Sequence, residues 1–312
     1  MELKGAVAIV TGCTGGLGQR IGRAFAEVGT QVAGVCIHSQ EQSEAFAREW
    51  SALGPRCTAV QADVTDRSQI GRMVEQVMQA YGKIDILINN AAYNQLIRFQ
   101  DLDGLTMEVW DHILLANLTS PFMCIKAVVP IMQRQKRGRI VNVASVAGLA
   151  PRGSSIAYAV SKAGLIHLTR CLAVALGPDV AVNAVAPGTM LGTRMTARLD
   201  PAQVEKSIKT SALQKPVDRD DVAHQIVEFC RSDSMTGQVL VLDSGLVFHL
   251  TAAHSRHLSV KVSEMAMDIG GLPRLPLSHH QPLPIFPRRD QVCRMAGIRD
   301  VARYSRLCLA AI

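Results

Sequence analysis

The chain has 312 residues, 48% of them hydrophobic and only 4% aromatic. That is enough apolar material for a sizeable core, weighted to the Ala, Val, Ile and Leu that buried parallel strands and packed helices use. The net charge of +7 sits mostly at one end: 249–312 carries nine basic and four acidic residues, against 24 and 22 in 1–248, so it says little about partners of the folded body.

Short β-branched runs alternate with longer helical patterns. The expected strands are Val7–Thr11, Gln31–Cys36, Cys57–Ala62, Ile84–Asn89, Arg139–Ala144, Val180–Ala186 and Gln238–Leu242. The expected helices are Leu17–Val28, Ser39–Leu53, Arg67–Tyr81, Met107–Lys136, Ala157–Leu176 and Asp218–Arg231. This alternation predicts an α/β fold: one doubly wound, Rossmann-type domain over 1–248 with a seven-stranded parallel sheet. Beyond Phe248 come five Pro, five His and no clear period, so 249–312 is expected to be a poorly ordered tail, with a short helix near Asp300–Leu309.

Eight cysteines, none in a CxxC pair, speak against a zinc site or disulfide framework and suit reduced cytoplasmic thiols. No metal is expected. MELKGAVAIVTG contains no separate hydrophobic signal region, and no uninterrupted apolar run reaches ~20 residues, so no membrane role is expected.

The first strand runs into Thr11-Gly12-Cys13-Thr14-Gly15-Gly16-Leu17-Gly18 and then a helix. Glycines there permit a tight turn and close approach of backbone to a pyrophosphate, and the helix N-terminus supplies free N–H groups. Asp63, followed by Val64, comes just after the third strand, where a carboxylate can accept from an adenine amine; Asp63 or Asp66 can equally cap the next helix. Asn89-Asn90-Ala91-Ala92 ends the fourth strand at the ligand-binding edge of such a sheet. Asn117 lies inside a helix, where Asn is a poor helix former and can bend the helix or hold a water. Ser145 ends the fifth strand, and Pro187-Gly188 ends the sixth.

Tyr158 and Lys162 stand four residues apart, one helical turn on the same face. Two charges ~4 Å apart at an effective dielectric of ~20 interact by about 4 kcal/mol, and a pKa unit is worth ~1.4 kcal/mol. The ammonium is therefore expected to bring the phenol down by roughly three units, where it can exchange a proton with an alcohol or carbonyl oxygen.

Together these pieces resemble the short-chain dehydrogenase/reductase family, and in general terms its 3-oxoacyl-(acyl-carrier-protein) reductase-like members. The resemblance covers 3–249 and rests on TGCTGGLG, Asp63, NNAA, Asn117, Ser145, YAVSK and the APG turn, in family order and spacing. It implies hydride transfer between a nicotinamide and a carbonyl or carbinol carbon. Tyr158 would be the acid/base, Lys162 would lower its pKa and bind the nicotinamide ribose, Ser145 would polarise the carbonyl, and Asn117 would hold a water linking Lys162 to solvent. Gly12, Thr14, Gly16, Leu17, Gly18, Asp63, Val64, Asn89, Ala91, Pro187, Gly188 and Thr189 or Thr193 would contact the dinucleotide. The resemblance also implies a homotetramer or homodimer built on the two long helices.

A carboxylate after the second strand would select NAD. Cys36, Ile37, His38 and Ser39 stand there, so NADP(H) is favoured over NAD(H), with His38 a modest phosphate contact; Gly15, where many NADP-dependent members carry a basic residue, pulls the other way. Arg134, Lys136, Arg137 and Arg139 can meet an acidic acyl carrier protein or simply form a solvated helix end. A sugar, polyol, cyclic alcohol or steroid substrate stays open. Two other classes fit less well: a dinucleotide-binding regulatory protein without turnover, disfavoured because all four catalytic positions are filled, and nucleic-acid binding by the tail, disfavoured because Phe286 and Tyr304 are its only aromatics.

Overall fold

The computed structural model describes residues 1–37 and 40–247. The expectations for His38, Ser39 and the 249–312 tail fall outside these residues. In chain order the elements are β1 Val7–Thr11, α1 Gly18–Glu27, β2 Gln31–Cys36, α2 Gln40–Ser51, β3 Cys57–Gln61, α3 Arg67–Tyr81, β4 Ile86–Asn89, α4 Met107–Leu114, α5 Ser120–Arg134, β5 Gly138–Val143, α6 Ile156–Leu176, β6 Val180–Pro187, α7 Arg194–Ala197, α8 Pro201–Lys209, α9 Arg219–Arg231 and β7 Val239–Leu242.

The seven strands form one sheet in the order β3-β2-β1-β4-β5-β6-β7, every pair parallel. Strand order reverses between β1 and β4. That is where an open parallel sheet leaves a crevice beyond the carboxyl ends of its strands.

Both faces are covered, as the period of two along β1 requires. Ala8 and Val10 join Ile21 and Phe25 of α1 and Ile226 and Phe229 of α9 in one core. Val7 and Ile9 join Ile70, Met73 and Val77 of α3 and Cys124 and Val128 of α5 in the other. Trp50 of α2 is fully buried across Gly22 and Gly34; a Cβ at Gly22 would meet the indole at 2.4 Å. Asp66, not Asp63, caps α3, accepting from the backbone N–H of Ser68 and Gln69, and Gly82 closes it in the left-handed region at φ 74.

The helix expected over 107–136 is interrupted. Between α4 and α5 lies a π-helical turn, Leu115–Thr119. The Ser120 N–H and hydroxyl both donate to the Leu115 carbonyl. Pro121 has no N–H for the Asn117 carbonyl, the partner an α-helix would require, so the ladder must widen here. Pro130 sits farther along in α5.

The runs Met107–Arg134 and Ile156–Leu176 are long and apolar enough to cross a membrane by length and composition, although neither is an uninterrupted apolar run. Half of the first one's most apolar window and 39% of the second's are buried within the fold. Phe122, Val160 and Val174 on these helices remain exposed.

Candidate functional site

A cavity of about 620 Å³ opens at the carboxyl edge of the sheet, where the strand order reverses. Its floor is the turn between β1 and α1. Gly12 holds φ +66, and a Cβ there would lie 2.9 Å from the Ala91 Cα. A Cβ on Gly16 would meet the Gly192 carbonyl at 2.2 Å, and one on Gly18 the Gly12 carbonyl at 2.2 Å. Only glycine fits at these positions, and the turn delivers the backbone to the N-terminus of α1, a cradle suited to a pyrophosphate. Arg219 ties the turn to its neighbour, donating to the Gly16 and Gly192 carbonyls at 3.3 and 3.0 Å.

Thr14, Leu17, Asp63, Val64, Ala91, Pro187, Gly188, Thr189 and Thr193 line the same cavity. Asp63 Oδ1 accepts from the N–H and hydroxyl of Thr65, which fixes the carboxylate beside the cavity. Thr189 shares a hydrogen bond with Ser207 at 2.8 Å, and Thr193 caps α7 by accepting from the Thr196 N–H. A Cβ on Gly188 would lie 2.8 Å from the Asp243 Cα. His38 lies outside the described residues; Cys36 and Ile37 before it line the cavity.

Asn89 is not where the sequence reading put it. Its side chain is buried and donates to Asn142 Oδ1 at 2.9 Å, away from the cavity wall. The next residue, Asn90, lines the cavity and donates to the carbonyls of Thr11 and Gly12 at 2.9 and 3.2 Å, bracing the glycine turn. Strand alternation decides which of two adjacent Asn faces which way, and the NNAA run alone did not mark the end of the strand.

Ser145, Tyr158 and Lys162 line the same cavity. Ser145 stands just beyond β5, accepts from the Ala147 N–H at 3.1 Å and lies near enough to the Tyr158 hydroxyl to favour its ionised form. Ser155 caps α6 by accepting from the Tyr158 N–H, which sets Tyr158 in the first turn. Lys162 is 2% exposed, and its Nζ donates to the Val143 carbonyl at 2.8 Å. It lies 5.8 Å from the centroid of the Tyr158 ring.

The expected downward shift of the phenol is overturned. Burial pushes Tyr158 up to about 12, against a smaller lowering by the nearby Ser145 hydroxyl. Burial alone brings Lys162 down to about 8. Low dielectric disfavours the charged form of both groups, and the ammonium bonds a carbonyl rather than the phenol, so desolvation outweighs attraction.

Asn117 is fully buried in the π turn and does not reach the cavity. Its Oδ1 accepts from the Tyr93 N–H, and its Nδ2 donates to the Tyr93 carbonyl and to Ser161, at 2.8, 2.8 and 3.1 Å. The side chain thus holds the loop after β4 against α6. Both Nδ2 hydrogens are taken, so the atoms left for the expected water are the second Oδ1 lone pair and the backbone carbonyl, which the Pro121 break leaves outside the α-helical ladder.

Much of the rest of the cavity lining comes from the segments 93–103 and 190–213, those expected to meet the substrate. The 94–98 and 190–199 segments face one another through Asn94, which donates to the Met195 carbonyl at 3.2 Å, and Arg198, which donates to the Asn94 carbonyl at 2.9 Å. Arg198 also covers the Tyr93 ring, whose edge meets His112. Arg152 donates to Ser207 at 3.1 Å. Of the expected basic run, Arg137 pairs with buried Asp85 and Arg139 with exposed Asp233, so half of that run already has acidic partners.

Residues 6–204 match the model of the short chain dehydrogenase family. The 3-oxoacyl-(acyl-carrier-protein) reductase of Thermotoga maritima is 38% identical over 258 residues, 79% of this chain and 100% of the relative. That of Synechocystis is 34% identical, covering 77% of this chain and 96% of the relative. The NADPH-dependent 3-quinuclidinone reductase of Rhodotorula rubra superposes with a TM-score of 0.70 at 26% identity, covering 78% of this chain and 92% of that one. With the glycine turn, the Ser145, Tyr158 and Lys162 cluster and the seven-stranded sheet in place, this chain belongs to the short-chain dehydrogenase/reductase family, as an NAD(P)-dependent oxidoreductase of CH–OH and C=O groups.

Proposed function

We propose that this protein interconverts a carbonyl and a secondary alcohol, with Tyr158 giving or taking the proton at the substrate oxygen. The observation that carries this reading is the convergence of Ser145, Tyr158 and Lys162 on one cavity floored by the glycine turn. The dinucleotide, when bound, supplies or accepts the hydride. Gly12, Gly16 and Gly18 leave room for its pyrophosphate, with Thr14, Leu17, Asp63, Val64 and Ala91 along its adenosine half and Pro187, Gly188 and Thr189 or Thr193 beside its nicotinamide.

A phenol near 12 keeps its proton at neutral pH, which suits donation to a carbonyl oxygen as negative charge develops there. Ser145 donates to the same oxygen, a one-donor oxyanion site. Lys162, seated on the Val143 carbonyl, places positive charge behind the phenol and offers its remaining N–H groups to the ribose. Asn117 keeps the 93 loop docked on α6.

Similarity to relatives named 3-oxoacyl reductases favours a 3-oxoacyl compound as substrate; a sugar, polyol, cyclic alcohol or steroid is the second reading. The missing acid after β2 favours NADP(H) over NAD(H), and so does the NADPH dependence named for the quinuclidinone reductase. Docking of an acyl carrier protein is weakened because Arg137 and Arg139 are already paired. Exposed Phe122, Val160 and Val174 on the two long helices favour a homodimer or homotetramer. The catalytic body is 1–248, and 249–312 is an extension dispensable for turnover. An NADPH and NADH oxidation screen against ketones and acetoacetyl thioesters tests the reading; no dinucleotide oxidation with any carbonyl would defeat it.

A further inference from the structure

Five buried side-chain polar atoms among the described residues have no hydrogen-bond partner, and three of them belong to one cavity: Arg152 Nη1, Ser154 Oγ and Asn94 Oδ1. Buried polar groups are otherwise nearly always paired, because an orphan loses its bonds to water without replacement. Such groups on residues that line the candidate active site point to bonds that a substrate would complete.

Arg152 decides the chemistry. It lies in the segment between Ser145 and Tyr158, and the adjoining Gly153 faces the Tyr158 ring, 3.3 Å from where its Cβ would be. Its Nη2 is taken by Ser207 of α8. No carboxylate forms an ion pair with it among the described residues. Asp243 acts on it only at longer range, with both carboxylate oxygens accepting from backbone N–H groups of Gly245 and Val247. An arginine keeps its charge in proteins. A half-buried guanidinium without a carboxylate partner, lining the same cavity as the Tyr158 phenol, is costly for the free enzyme, and an anionic substrate group offsets that cost.

We propose that Arg152 selects the substrate, and that the compound converted here carries a carboxylate close to its carbonyl or carbinol carbon. The inference rests on the carbonyl–alcohol reading of the same site and names a free acid as its substrate in place of a 3-oxoacyl thioester. One cation with one buried N–H terminus unspent suits the single charge of a carboxylate better than a phosphate dianion. The Ser154 hydroxyl and the Asn94 carbonyl oxygen then serve neutral parts of the same molecule.

The test compares acetoacetate and levulinate with their methyl esters, using the full chain and NADPH. Wild type should favour each acid over its ester by tenfold or more in kcat/KM. Arg152→Gln should lower kcat/KM for the acids at least tenfold, mainly through KM, and leave the esters within about threefold; Arg152→Lys should recover part of the loss. Equal use of acid and ester by wild type, or equal loss on both in Arg152→Gln, would overturn the assignment. So would a raised KM for NADPH with an unchanged acid-to-ester ratio, which would place the guanidinium on the dinucleotide. A second readout needs no turnover: with NADPH present, the two acids should raise the melting temperature of wild type and not of Arg152→Gln, and no rise in wild type would also overturn the proposal. Turnover of esters alone defeats the carboxylate proposal and keeps the reductase reading; binding of the acids without any dinucleotide oxidation defeats the reductase reading instead.

Discussion

Lys162 Nζ is hydrogen-bonded to the Val143 carbonyl at 2.8 Å, across from the β5 end that carries Ser145. Unfolded lysine holds its proton to pH ~10.5, whereas burial lowers Lys162 to about 8. The unfolded chain therefore binds more protons between these values, and stability rises with pH across that window and falls as pH drops through 8. At ~1.4 kcal/mol per unit, keeping the ammonium buried costs the fold about 3 kcal/mol below pH 8. Lys162→Met is expected to match or exceed wild-type stability in urea at neutral pH and to lose that margin by pH ~10.5. A margin that does not change with pH would contradict this.

The same group sets an activity limit. Carbonyl reduction should hold steady in kcat/KM from mildly acidic pH to near pH 8 and decline above it, as Lys162 loses its charge while Tyr158, near 12, keeps its proton. Alcohol oxidation, which needs the phenol to accept a proton, should instead rise with pH. A reduction profile that stays flat well above pH 8 would separate Lys162 from the chemistry.

Two glycines of α1 and its approach should fail differently. Gly16→Ala drives a methyl group into the Gly192 carbonyl, 2.2 Å away, and should raise the dinucleotide KM tenfold or more. Gly22→Ala meets Trp50 at 2.4 Å and should cost about 1–3 kcal/mol of stability, seen as a lower urea midpoint, with the KM little changed. Equal effects on binding would argue against the glycine turn as the pyrophosphate seat.

Asn117 is expected to matter for stability as well as for turnover. Asn117→Ala leaves the part-buried N–H and carbonyl of Tyr93 without their partners and should lower unfolding free energy by about 1–3 kcal/mol. Asn117→Asp keeps the acceptor for the Tyr93 N–H and should fall between, as read by urea unfolding. A wild-type urea midpoint in Asn117→Ala would refute the clamp.

Motifs confined to one strand-turn-helix could be read directly. The glycine turn, the Tyr158 and Lys162 spacing and the seven strands lie within a few residues of the expected positions because the period of two and the turn chemistry are local. What failed was tertiary. The phenol shift depends on how dry Tyr158 is, which spacing does not encode. Asn89 and Asn90 differ only in which face of the strand end they meet. The π turn follows from Pro121 one turn after Asn117, a signal present in the sequence and passed over. Arg152, Ser154 and Asn94 sit in irregular segments with no period, and only the fold brings them to one cavity; α7 and α8 escaped notice for the same reason.

The most direct test of the account is Tyr158→Phe, which removes one hydroxyl and leaves the ring. With NADPH and a carbonyl that wild type reduces, kcat should fall by about 10²–10⁴-fold, the contribution of a positioned general acid, while NADPH binding measured by its fluorescence stays within about twofold. A variant that retains wild-type kcat would show that the proton comes from another group and that the Ser145, Tyr158 and Lys162 cluster is not where the chemistry happens.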